Sequence, residues 1–407
     1  MRYVRWLLLL SWFTPTIFLV SPFHEYANKA NVYYVIFILA AISYVSIPIA
    51  NSKIVIDRSI FINPIFIKIY IVIVSILCIS TIIVIFMLLK TTGGLSQNRE
   101  VFQDNFLVYN YLFVTATFFA VVLSITKYVN IYTRSFARFT WFLCAFLMLF
   151  TGNRQFAFFS FIFLIVYYLG LSVNPKIFYK VIILIAFIAI GAVAISVLRL
   201  DYLNTDDLSV VASYMSRLTG TTCLNEAFRD SILELFFQLF YAYLGMNYSG
   251  LTYALDFNSN NGGFPLISTS FPVIYRRFIS LGLASDIESY NKDFDNYIAT
   301  VSGGDYSHFF ISLFGTIALE AGWVGLLISL FVIAYMIRVL SNTCNKKGAN
   351  ECDYIFYVFV ITSLIFGLMQ FPFSEPFVFF SFLHILFLYF FRNREFWPII
   401  GYRQSIQ

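Results

Sequence analysis

Four arginines stand where an arginine is costly to keep: Arg154 between two apolar runs, Arg199 at the end of another, and the adjacent Arg276 and Arg277 in an aromatic neighbourhood. An ionised group at membrane depth costs at least ~2.5 kcal/mol and normally faces a cavity or a partner. A guanidinium keeps its charge and grips phosphate through two parallel hydrogen bonds. Arginines gathered at a membrane surface therefore suit a diphosphate; the alternative is snorkelling to lipid headgroups. Three acid–base groups accompany them. Glu320 lies in the apolar run 309–325, and His308 follows Asp305 by three residues where that run opens. Each is a candidate general base, with pairing to an arginine the alternative for Glu320 and a phosphate contact or a structural role the alternatives for His308. Tyr241, Tyr243 and Tyr248 belong to an aromatic-rich stretch. Ring faces stack on the C–H faces of a sugar while planar polar groups take its hydroxyls, so such a stretch suits a glycan. Anchoring at the membrane interface is its other use.

The elements that must position these groups are membrane spans. The chain is 60% hydrophobic, 20% aromatic and 12% charged, against about 25% charged in a soluble domain. A bilayer core needs about 20 mostly apolar residues per helix, and the runs here are continuous rather than alternating, which favours helices over a barrel. The apolar runs are Trp6–Val20, Val32–Ile49, Ile69–Leu89, Leu107–Thr126, Phe139–Phe150, Phe156–Leu169, Ile177–Leu198, Trp323–Leu340, Tyr354–Gln370 and Phe377–Phe391. The fifth and sixth are short, parted by residues 151–155, and read as a tight hairpin or a pair that does not fully cross. The first could be a signal peptide, but Pro22-Phe23-His24 replaces a small-residue cleavage site, so it reads as an anchor.

Basic residues orient the spans. One side gathers Arg2, Arg5, Lys53, Arg58, Lys127, Arg134, Arg138, Lys346 and Lys347 among others, whereas the short segments opposite hold Lys29, Lys90, Arg99 and Arg154. The basic side is cytoplasmic, which puts both termini inside and the long polar interruption outside. The expected fold is an all-α polytopic integral membrane protein. Its parts are transmembrane helices in 1–198, a large outward-facing loop with short helices in 199–307, and three more transmembrane helices with a cytoplasmic C-terminus in 308–407, about ten spans altogether. The loop is too aromatic for a disordered linker. Within it Ile232–Leu244 is apolar but too short to span, the 258–263 run of Asn, Ser and Gly reads as a turn, and Ala284–Asn296 reads as a solvated surface. Whether Phe309–Leu319 is a separate short helix or continues into the next span is open at this stage.

Several functions are excluded or disfavoured. The net charge of +5 follows from the topological bias, and no basic stripe interleaved with exposed aromatics speaks for nucleic acid. Three scattered histidines and no CxxC or HExxH give no metal site, and Cys223 is the one outward cysteine, without a disulfide partner there. No cofactor is expected. The two halves are not related as inverted repeats, which weakens a flippase or exporter reading.

Three segments then carry a resemblance. Gly152-Asn153-Arg154-Gln155 at the tight turn, Tyr241-Ala242-Tyr243-Leu244-Gly245-Met246-Asn247 in the loop, and Ser307-His308-Phe309 leading to Glu320-Ala321-Gly322-Trp323-Val324-Gly325 are similar to motifs of Wzy-type O-antigen and polysaccharide repeat-unit polymerases. The topology, with a large periplasmic loop late in the chain, is similar over nearly the whole length. His308 also resembles the periplasmic histidine of the related O-antigen ligases. The resemblance implies a GT-C-like, metal-independent glycosyltransferase of the bacterial inner membrane. It would move a glycan from undecaprenyl diphosphate to the terminal sugar of another lipid-linked repeat unit. The partners implied are the undecaprenyl-diphosphate-linked oligosaccharide, membrane lipids and a chain-length regulator protein. On this reading Arg154, Arg199, Arg276 and Arg277 bind the diphosphate and Tyr241, Tyr243 and Tyr248 the sugar, while Glu320, His308 and Asp305 are the candidate catalytic groups. A ligase acting on lipid A core shares the donor site, and a non-enzymatic scaffold would survive loss of every one of these arginines.

Overall fold

The computed structural model describes residues 2–13, 24–26, 56–58, 69, 72–73, 75–77, 79–80, 82–83, 86–87, 107–125, 130–150, 154–171, 176, 178–180, 183, 221–223, 226–227, 229, 231, 233–235, 237–238, 246–302, 312–345, 349–368 and 371–391. Among them the architecture is helical: α1 (Arg2–Phe13), α2 (Leu107–Ile125), α3 (Ile131–Phe150), α4 (Arg154–Leu171), α5 (Met246–Asn261), α6 (Pro272–Ser280), α7 (Glu288–Ser302), α8 (Leu313–Asn345), α9 (Glu351–Phe366) and α10 (Pro376–Phe391). The expected all-α class stands, with two minimal strand pairings beside the helices. His24–Tyr26 pairs antiparallel with Thr221–Cys223, and Ile56–Arg58 pairs parallel with Ala349–Asn350, in ladders of two or three residues.

The chain divides into two compact units, one of residues 1–53, 168–341 and 360–376, the other of 54–167, 342–359 and 377–407. In the second unit, α2 and α3 pack as consecutive helices. Its core is aromatic: the Phe118 ring lies 5.2 Å from Phe163, 5.9 Å from Phe159 and 6.0 Å from Phe359. Such edge-on and tilted pairs are the favoured geometry for rings and add to their burial. Side-chain hydrogen bonds, from buried tyrosines and from the exposed Arg138, tie its helices together. Tyr167 donates its hydroxyl to Ile125 O at 3.2 Å, Arg138 Nε donates to Ser124 O at 3.3 Å, and Tyr354 donates to Tyr167 O.

The short fifth and sixth apolar runs become α3 and α4, of 20 and 18 residues. The gain in α3 comes from Ile131–Arg138, whose exposed Ser135 and Arg138 dilute the apolar signal without interrupting the helix. The rings of Trp141 on α3 and Phe161 on α4 meet edge-on at 5.2 Å. In the first unit, α8 is the helix among the described residues that is long and apolar enough to cross a bilayer, at 33 residues. Its face after Gly322 is apolar and open: Trp323, Val324, Ile328, Phe331 and Tyr335 are all exposed, up to 77% at Phe331.

Candidate functional site: a break in the long helix and the segment that clasps it

The long helix is not continuous. Gly322 has φ 58° and ψ −153°, so α8 is a nine-residue stretch, Leu313–Ala321, joined across a kink to a longer one from Trp323. That backbone conformation is essentially open to glycine alone and costs other residues ~1–3 kcal/mol. Gly325 belongs to the same kink. A Cβ added there would lie 2.1 Å from Ala321 Cβ, because the bend closes the distance between successive turns. The Gly-x-x-Gly spacing thus has a geometric cause. It also answers the question left at 309–319: the residues described there, from Leu313, form their own short helix, seated by Leu313 N donating to Gly367 O at 2.7 Å.

The carbonyl of Leu319 is one that an unbroken helix would offer to the amide four residues on, that of Trp323. Here the 246–302 segment offers it two donors, Asn258 Nδ2 at 2.9 Å and Phe264 N at 3.0 Å. Asn258 sits against the break itself, its Oδ1 2.5 Å from where a Cβ on Gly322 would be. The 258–263 run expected as a plain turn is therefore mostly helix. α5 continues to Asn261, and the turn is made by Gly262 and Gly263, both with positive φ.

Next to Leu319, the Glu320 carboxylate receives five hydrogen bonds from residues 267–270. Oε1 accepts from Thr269 N and Oγ1, both at 2.7 Å, and from Ser270 N at 2.8 Å. Oε2 accepts from Ser270 Oγ at 2.8 Å and Ile267 N at 3.1 Å. A carboxylate offers about four lone-pair sites, so this one is fully engaged. Ile267 adopts φ 63° to reach it, an outlier for a β-branched residue. Such strain persists only where the surroundings over-determine it, and the Glu320 hydrogen bonds supply that constraint.

The clasp leads directly into α6. Phe271, its N-cap, stacks on Phe373 at 5.5 Å and 17° and meets Phe371 edge-on at 5.7 Å. Beneath it α5 and α7 share an aromatic core in which Phe257 contacts Phe294 at 5.1 Å, Tyr297 at 5.6 Å and Phe264 at 6.1 Å. Burial pushes the Tyr297 phenol up, and the nearby Asp256 adds to it. α7 carries its polar face outward, with Glu288 and Lys292 paired at 3.0 Å, as the solvated reading of 284–296 expects.

Of the sequence-selected residues, Glu320, Arg276 and Arg277 are fully described, and the structure brings Glu320 onto the turn that opens the arginines' helix. Arg276 and Arg277 sit side by side, exposed, near the end of α6. Arg154 opens α4 and Tyr248 lies in the first turn of α5, but the structure does not describe their side chains. Arg199, Tyr241, Tyr243, Asp305 and His308 lie outside the described residues. Asn258, Thr269, Ser270 and Gly322 were not selected in advance, and Gly322 and Gly325 entered only within the segment Glu320–Gly325 that carries the resemblance. Among the described residues no group of three His, Cys, Asp or Glu side chains converges as a metal site. No protein-family model, curated protein or solved structure matches the chain. The chemistry of the site therefore rests on its residues: a carboxylate and an amide that fix a folded segment to a broken, membrane-length helix, and two exposed guanidinium groups carried by that segment.

Proposed function

We propose that the chain is a multi-pass glycosyltransferase of the bacterial inner membrane, with about ten spans, cytoplasmic termini and the 199–307 loop in the periplasm. It polymerises a polysaccharide by moving a glycan from undecaprenyl diphosphate to the terminal sugar of a second lipid-linked repeat unit. One observation carries the reading. The loop segment 246–302 is a folded aromatic unit fastened at the break of the long helix, and it presents Arg276 and Arg277 together. A diphosphate leaving group needs fixed positive charge where negative charge develops, and preorganised arginines supply it without reorganisation.

In this reading Arg154 and Arg199 complete the diphosphate site, and Tyr241, Tyr243 and Tyr248 hold sugar. Glu320, with both oxygens engaged by residues 267–270, serves best as the group that positions the loop. The base is then sought at His308 or Asp305. The test is polymer laddering by the purified protein from a defined undecaprenyl-diphosphate repeat unit. Wild type is expected to build ladders that resist EDTA and need no lipid A core, and Arg154→Ala and Arg277→Ala to lose them. Transfer only when lipid A core is added moves the assignment to ligase. Silence with both acceptors from well-folded protein refutes transfer altogether.

A further inference from the structure

The end of α6 is built as a small apolar tip. Gly282, with φ 70°, closes the helix: its N–H donates to Ile279 O at 2.9 Å, and Leu283 N donates to Phe278 O at 2.9 Å. This pair of hydrogen bonds is the Schellman motif, which normally lets the side chain after the glycine cover the last turn. Here the three apolar side chains it gathers stay in the open. Leu281 is 69% exposed, Leu283 73% and Phe278 37%, with Arg276 and Arg277 exposed one turn back. A soluble surface scatters such leucines singly, whereas a cluster flanked by basic residues marks a binding surface.

What covers the tip follows from where it hangs. α6 starts two residues after Ser270, whose amide and hydroxyl are bonded to Glu320. Glu320 lies two residues before Gly322, and from Trp323 onward α8 shows its exposed apolar face. The root of α6 is therefore level with the start of the lipid-facing surface. Nine helical residues rise about 14 Å, so the tip stays within that distance of the same plane. Apolar residues with arginines beside them match this boundary in sign and polarity, with acyl chains for the leucines and phosphates for the guanidinium groups.

We infer that the α6 tip docks on the bilayer that the long helix crosses, with Leu281, Leu283 and Phe278 among the acyl chains and Arg276 and Arg277 at the lipid phosphates. This docking is independent of sugar transfer. It gives the 246–302 segment a second attachment besides Asn258 and Glu320, and holds its arginines in the plane where any lipid-borne phosphate travels.

The experiment uses the full chain in nanodiscs containing phosphatidylglycerol, with Cys78 and Cys223 replaced by serine. Cys144, Cys344 and Cys352 are buried and stay as they are. An environment-sensitive fluorophore is placed on Leu283→Cys and, for comparison, on Asn291→Cys of the exposed face of α7. The probe at 283 is expected to emit to the blue of that at 291, to resist iodide, and to be quenched by doxyl groups high on the lipid chains. Adding Arg276→Gln and Arg277→Gln is expected to restore part of the iodide quenching. A probe at 283 that is as open to iodide as the one at 291 overturns the inference. So does a probe shielded from iodide and doxyl alike, which would mean that protein, such as a second copy of the chain, covers the tip.

Discussion

Replacing Glu320 with glutamine separates the role of loop anchor from that of general base. The amide keeps one oxygen, and the two backbone donors Thr269 N and Ser270 N dictate that it take the Oε1 position. Its NH2 group then faces Ser270 Oγ, which can rotate to accept, and Ile267 N, which cannot. Three charge-assisted hydrogen bonds become neutral ones, at a loss of roughly 1 kcal/mol each, and one backbone N–H is left opposed to a donor, at about 1–3 kcal/mol. The site is only half-buried, so water recovers about half of this and the net local cost is about 2–3 kcal/mol. At 1.4 kcal/mol per decade, hydrogen exchange at the Ile267, Thr269 and Ser270 amides should quicken by roughly 30- to 150-fold, with Ile267 affected most. Glu320→Ala should affect all three amides still more, while amides of the long helix beyond Gly322 serve as the unchanged reference. Unaltered protection of the three amides in Glu320→Gln, together with abolished glycosyl transfer, would refute the anchor reasoning and return Glu320 to the role of base.

Gly322→Ala places a Cβ 2.5 Å from Asn258 Oδ1 in a backbone conformation closed to alanine, and should cost about 2–4 kcal/mol by thermal unfolding in detergent. Asn258→Ala in the same background should relieve the collision but not the backbone strain, so the pair of substitutions is expected to be less damaging than their separate effects imply. Phe294→Ala empties the space between α5 and α7, where Phe294 is 5% exposed, and should destabilise the segment by about 3–5 kcal/mol; cleavage within 262–287 by added protease reports it. The raised Tyr297 pKa means that the folded segment disfavours the phenolate, so stability contributed by the neutral ring is complete below pH 10.0 and declines as pH climbs beyond it. Tyr297→Phe should flatten that alkaline loss in a pH series of protease resistance.

The helical character of the chain was legible, and so was the membrane-length apolar character of α8, because both are properties of local composition. Uninterrupted apolar runs specify helices whatever they later touch, and Trp323–Tyr335 on α8 needs only its own sequence to be lipid-compatible. The reading weakened wherever a helix was polar at one end. α3 begins eight residues before the run Phe139–Phe150 because Arg134 and Arg138 are tolerated on it, and the end of α5 was read as a turn because Asn258–Asn261 has turn-like composition. Both errors come from letting residue preference outvote the continuation of a helix already nucleated.

The clasp was beyond reach for a different reason. Glu320 attracted notice as a carboxylate out of place, and a misplaced carboxylate suggests chemistry. Its actual partners are 50 to 53 residues away and are mostly backbone amides, which every sequence contains and none advertises. The same holds for the carbonyl of Leu319, whose donors are Asn258 and the amide of Phe264. A break in a helix frees polar backbone groups that protein must answer where water is excluded. Once Gly322 is recognised as the break, residues such as Asn258, Thr269 and Ser270 become the expected kind of partner, with short side chains that hydrogen-bond backbone and carboxylate alike. The productive signal in such a chain is therefore the glycine pair that forces the kink rather than the charge beside it. The charge is there to hold the segment that closes the break, and the arginines on that segment inherit their position from it.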